Sequence, residues 1–219
     1  IVHDFVLCIE NFNTRGSGYV VDRIVKFTIC YSPYRPLHGS SFIETPDIWA
    51  KKKALINVQN RKDNLCFLYS VLAKIINPSS NPDRVYHYRR HMNLLNVTGL
   101  QFPLKVSDVP KFQNPEISMN VLFYDGDERD FCPLYVSEQK SRKHHVNLLL
   151  LEGANKTFHY TLIKSMSRLV AGRTKCGNKA WVCDHCLHPF WREENLLAHI
   201  PHCSQHPPQV VRYPKEGED

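Results

Sequence analysis

No run of about 18 apolar residues occurs anywhere in the 219-residue chain, so the sequence offers no candidate membrane span. The apolar run Leu148 to Leu151, with Val146 just before it, has the length of a strand. A signal-peptide pattern is also missing, and the chain opens on Ile1 without a start methionine. That opening reads as a cut inside a longer protein. A metal-dependent nuclease is not expected of this chain. An evenly spread disulfide framework is absent too. Of eight cysteines, three fall within Cys183 to Cys203, while Cys8, Cys30, Cys66, Cys132 and Cys176 are scattered. This distribution suits a reducing, intracellular compartment (cytoplasm or nucleus) with one metal site and several free thiols.

Hydrophobic residues at 42% and aromatics at 11% are enough for a folded core. The net charge of +7 permits an acidic partner but is too diffuse to name nucleic acid. A monomer of one ordinary domain plus something small is expected.

The segment "WVCDHCLHPFWREENLLAHIPHC" carries the sharpest pattern. Cys183 and Cys186 are two residues apart, which suits a tight knuckle. Twelve residues then precede His199, and three more precede Cys203, so the last pair lies about one helical turn apart. Phe190 and Leu196 sit where a ββα zinc finger builds its miniature core. The expectation is a structural Zn²⁺ held by Cys183, Cys186, His199 and Cys203, with His202 as spare ligand and His185 and His188 facing solvent. Glu193 and Glu194 stand where a DNA-reading finger places Arg, Gln or Asn. A structural or protein-docking finger is favoured over one that reads nucleic acid.

"AGRTKCGNKA", 171–180, reads as a linker to the finger at 181–203, and 204–219 as a loose tail. Upstream, "VKFTICY" alternates like a strand and "KALINVQN" suits a short one. Apolar residues recur at helical spacing from Cys66 to Ile76, ending at "NPSSNP". Another helix is expected from Asn81, with Pro82 in its first turn, through "DRVYHYRRHMNLL". Four strand-like runs follow, "ISMNVLFYD", "FCPLYVSE", "HHVNLLLLEG" and "TFHYTLIKS", with "EGANK" joining the last two as a hairpin. Helices first and an antiparallel meander afterwards indicate an α+β domain over residues 1–170.

Cys66, in "RKDNLCFLYSVLAKI", stands at the start of its helix, where an anion is favoured. Asp63 or Asn64 can cap that start. A thiol nucleophile needs a base held by a third group. His145 opens the "HHVNLLLL" strand, and period two sends His145 and Asn147 to one face and His144 to the other. Cys66, His145 and Asn147 are therefore the candidate catalytic set. Asn60, Asn64 and the Cys66 backbone N–H are the candidate oxyanion donors. His159 is the rival base and Ser165 the rival orienting group. The plainer reading is that a lone helical cysteine is a small buried hydrophobe.

"DNLCFLYSVLA" followed by "HHVNLL" resembles the papain-like fold, and especially the ovarian-tumour-type deubiquitinases. Those carry an Asp three residues before the Cys and His-x-Asn/Asp on a strand, matched by Asp63, Cys66, His145 and Asn147. Their usual Gly-Asn is Asn64-Leu65 here. "SGYVVDRIVKFTIC", "GSSFIETP", "KKALINVQNRKDNLCFLYSVLA", "KFQNPEISMNVLFYD", "HHVNLLLL", "HYTLIKSMSRLV" and the Cys-rich segment together are similar to a region upstream of the B-family DNA polymerase in Maverick/Polinton-type mobile elements. The first resemblance implies a cysteine peptidase acting on ubiquitin or a ubiquitin-like modifier. The second leaves open a polyprotein-processing protease or a non-enzymatic, zinc-finger, nucleic-acid-binding accessory region.

Overall fold

The computed structural model describes Val6, Ile9, Glu10, Asp22, Arg23 and Gly39, and residues 42–125, 130–138, 142–153, 157–171, 179–208 and 210–211. Ile1–Tyr34 and Arg35–Asp219 form separate compact units. The C-terminal segment and the larger sheet both fall in the second of these units. The expected strand "VKFTICY" lies outside the described residues.

Within the second unit the elements run α1 (Asp47–Ala50), β1 (Leu55–Ile56), α2 (Cys66–Ile76), α3 (Tyr86–Arg89), β2 (Ile117–Asp125), β3 (Asp130–Val136), β4 (His144–Glu152), β5 (Phe158–Ile163) and α4 (Met166–Val170). A small unit of β6 (Trp181–Val182), β7 (Pro189–Phe190) and α5 (Glu193–Cys203) completes the chain. The class is mixed α+β, as expected.

The larger sheet has the order β1-β5-β4-β2-β3. It is not the expected antiparallel meander, because β4 runs parallel to β2, with Ser118 opposite His145 and Asn120 opposite Asn147. The reason lies in what each strand can bury. Leu148 to Leu151 are all buried and need cover on both faces, so β4 belongs in the middle of the sheet. β3 carries Pro133 and a register shift opposite Val121/Leu122, which confine it to an edge. Val211 donates its backbone N–H to the Pro133 carbonyl at 2.8 Å, capping part of that edge. The β4–β5 hairpin does form, closed by Gly153 N–H to Thr157 O at 2.8 Å.

α2 fulfils its helical spacing and ends where expected, with Asn77 in the left-handed region at φ 45°. Residues Cys66 to Ala73 are all buried, not only one face of them. The helix lies between the sheet and a layer containing Tyr88, Leu95, Leu104, Val109 and Phe112. The second expected helix shrinks to α3 and a 3-10 turn at Met92–Leu94. Asn81 has φ 46°, which cannot start a helix, and within α3 only Tyr88 is buried. Val85, Tyr88, Met92 and Leu95 still pack toward the core, but from a short helix and a 3-10 turn rather than one continuous helix.

Two apolar clusters flank the sheet. Val146, Leu148, Leu150, Tyr160 and Leu162 pack with α2 on one face. Leu122, Leu149, Leu151 and Ile163 pack with Trp49, Ala54 and Leu169 on the other. This division decides the geometry of every candidate site.

Candidate metal centre and the Cys66 region

The β6–β7 hairpin and α5 bring four donors together. One ligand atom each from Cys183, Cys186, His199 and Cys203 lies within 4.8 Å of all the others. A tetrahedron with metal–sulfur bonds of about 2.3 Å has edges of about 3.8 Å, so the four donors fit one ion. Leu187 takes φ 61°, and its N–H reaches the Cys183 carbonyl at 2.8 Å, turning the knuckle. The His185 N–H points at the Cys183 sulfur at 3.4 Å, as expected where a sulfur carries negative charge. Cys186 Sγ lies 3.2 Å from His199 Nε2. Burial, then the adjacent Cys186 and Cys183 sulfurs, push the Cys203 thiol up to about 12. A bound cation relieves that crowding by stabilising thiolates. His202 is exposed and outside the cluster, so the spare-ligand role is not used; His188 is exposed as expected, whereas His185 is half-buried with Nε2 2.7 Å from His206 O.

Cys66 is the first residue of α2, but it is 1% exposed. Burial pushes its thiol up to about 12, and backbone hydrogen bonds involving Tyr160 and Phe67 offset this only in part. Asp63 does not cap the helix. Its Oδ1 accepts from the Leu65 N–H at 3.1 Å and its Oδ2 from the Tyr69 hydroxyl at 3.0 Å. Its negative charge raises the Cys66 thiol further. Gly39 closes over the sulfur: a Cβ on it would stand 2.8 Å from Cys66 Sγ and 2.2 Å from Tyr160 Cδ2.

The structure does not bring Cys66 and His145 together. Cys66 belongs to the α2 face of the sheet, with Val146, Leu148 and Leu150. His145 and Asn147 alternate with those residues and share the face of Leu149 and Leu151. His144 does share the Cys66 face, yet Cys66 sits against Tyr160, which pairs with Leu150. Six residues of strand separate His144 from that point, roughly 20 Å. His159 is buried on the far face with Nε2 2.8 Å from Asn57 Oδ1 and its ring edge-on to Phe42. Ser165 caps α4, its Oγ accepting from the Arg168 N–H at 3.3 Å. Of the oxyanion candidates, Asn60 spends its Nδ2 on the Asp63 carbonyl and carboxylate at 2.9 and 3.1 Å, and Asn64 is exposed.

His145 and Asn147 instead meet the metal knuckle. Asp184, between Cys183 and Cys186, gives its backbone oxygen to Asn120 Nδ2 at 2.7 Å. Its Oδ1 accepts from Asn147 Nδ2 at 3.3 Å and stands 3.7 Å from His145 Nε2. His145 Nδ1 is 2.8 Å from Ser118 Oγ. Leu187 packs against the adjoining apolar cluster. Ser118, Asn120, His145 and Asn147 thus form a polar patch at one end of a sheet face, and Asp184 docks on it. Sequence reasoning missed Asp184; its only signal was a carboxylate inside a Cys-x-x-Cys pair, with nothing to say which strand it meets.

Comparison with protein-family models, curated proteins and solved structures finds no match. What the geometry defines is a mixed α+β domain with a Cys₃His cluster able to hold a metal ion.

Proposed function

We propose that the chain is a non-enzymatic binding module, with Zn²⁺ held by Cys183, Cys186, His199 and Cys203 as a structural ion. The observation that carries this reading is the use of the His145-x-Asn147 pair. Those side chains engage Asp184 of the metal knuckle, on the face of the sheet away from Cys66. A buried thiol pushed up to about 12 suits a core residue rather than a nucleophile. Zinc at the cluster would supply folding energy to a unit too small to bury a core of its own. The test is labelling of the zinc-loaded protein by ubiquitin bearing a thiol-reactive C-terminal group, alongside Cys66→Ala. The expected result is no ubiquitin-sized adduct on Cys66. An adduct lost in Cys66→Ala would refute the module reading.

One observation favours the peptidase reading. Cys66 opens a buried helix laid across a sheet, the placement of a papain-like nucleophile. That reading needs a base other than His144, His145 or His159. Ubiquitin or a ubiquitin-like modifier would be its substrate, or the polyprotein of a mobile element. The same labelling experiment separates the two readings.

A further inference from the structure

The positive charge of the chain does not reside in the metal-binding unit. Over residues 179–211 two cations, Lys179 and Arg192, face three carboxylates, Asp184, Glu193 and Glu194. By contrast, no Asp or Glu occurs from Arg84 to Ser107, a stretch holding Arg84, Arg89, Arg90 and Lys105. Arg84 lies 3.5 Å from Asp83 and is partly neutralised. Arg89 hydrogen-bonds the Tyr69 hydroxyl, which itself donates to Asp63, so its charge is partly answered. Arg90 is exposed, with its Nε donating to His91 Nε2 at 3.2 Å. Tyr86 is 64% exposed, an unusual position for a large aromatic ring beside arginines. Its ring is tilted 36° to that of His87, with centroids 4.1 Å apart. Tyr86 and Arg90 are four residues apart at α3, so they share one side of the turn.

From this arrangement we propose that α3 and the residue after it form a contact surface for single-stranded nucleic acid. Tyr86, backed by His87, is the platform on which an unpaired base stacks, and Arg90 faces the phosphate beside it. The proposal rests on the binding-module reading and names its partner. Duplex DNA fits less well, because a short helix with one protruding ring offers a stacking surface rather than a reader of base edges. The acidic start of α5 would repel the same backbone, so the metal unit supports the fold rather than the contact.

The experiment uses the full zinc-loaded chain and fluorescein-labelled oligo-dT and oligo-U of about 20 nucleotides, followed by anisotropy across a salt series. The two oligomers separate DNA from RNA as the source of the strand. Both are expected to bind more tightly than duplex DNA, with affinity falling as salt rises. Tyr86→Ala is expected to weaken binding about tenfold while Tyr86→Phe stays near wild type, because stacking needs the ring and not the hydroxyl. Arg90→Ala should reduce the slope of log K against log salt by about 0.7, one phosphate contact on a single strand. Arg90→Lys should keep the slope. Thermal melts of each variant show whether the fold is intact. Three results would overturn the proposal: affinities of folded Tyr86→Ala and Arg90→Ala within twofold of wild type, loss of binding in Arg192→Ala instead, or equally effective competition by polyglutamate without dependence on Tyr86. None of these touches Cys66 labelling, so this proposal and the module reading fail by different measurements.

Discussion

At the scale of single residues, Cys66 and Gly39 illustrate how burial overrides position. A helix start favours a thiolate, but only if solvent or a counter-charge reaches it. Here desolvation wins, and Asp63 adds to it. The sign for stability follows. The folded thiol titrates at about 12 against an ordinary value of 9.0, so keeping it neutral stabilises the fold fully below about pH 9. That contribution is lost as pH rises from 9 toward 12, because the unfolded chain releases its proton first. Wild type should therefore lose more denaturant stability between pH 8 and 11 than Cys66→Ala, measured by urea unfolding at each pH. Equal slopes would mean that the thiol is solvated. Gly39 gives a second expectation. A methyl 2.2 Å from the Tyr160 ring and 2.8 Å from Cys66 Sγ has no room, and the ring sits in the fully buried core. Gly39→Ala should cost about 1–3 kcal/mol, read from the denaturation midpoint. Neither constraint shows in the sequence, since nothing in "LHGSS" announces which side chains close around it.

At the scale of elements, the interlock between β4 and the metal knuckle is the feature most open to test. Asn147 and Asp184 are 37 residues apart and joined by a 3.3 Å hydrogen bond. Asn147→Ala, Asp184→Ala and the double variant should give a coupling energy of about 0.5–3 kcal/mol in chemical denaturation. A value near zero would mean that the knuckle rests on Leu187 and the Asn120 contact alone. The same element shows how far the sequence could be read. The parity of "HHVNLLLL" was legible: His145 and Asn147 do share a face, and α2 and the β4–β5 hairpin follow their periodicities. What periodicity cannot supply is which face the helix covers. One sheet has two buried faces here, and the polar pair fell on the one opposite Cys66. The parallel pairing of β2 with β4 was hidden for a related reason. Strand runs in succession suggest hairpins, whereas the demand of Leu148–Leu151 for two covered faces placed β4 centrally.

For the whole molecule, the metal cluster and the sheet are joined by contacts that should make them open together. The four-ligand pattern was legible because metal coordination fixes ligand spacing in sequence, and the structure gathers those same four residues. The consequence of that site was not legible, because it depends on contacts distant in the chain. Asp184 touches Asn120 and Asn147, and Leu187 joins the apolar cluster of Trp49 and Leu169. Removing the proposed Zn²⁺ should therefore loosen more than residues 181–203. With a strong chelator present, amide hydrogen exchange should quicken in the knuckle and also in β2 and β4 near Asn120 and Asn147. α2, on the other face of the sheet, should keep its protection. Metal affinity should fall as pH is lowered, because protons compete for the three thiolates and the imidazole. If exchange instead rises only within residues 181–203, the small unit is an independent bead whose contact with the sheet contributes little. If it rises in α2 as well, the ion supports the entire core, and the polar patch at His145 and Asn147 is a keystone for the fold.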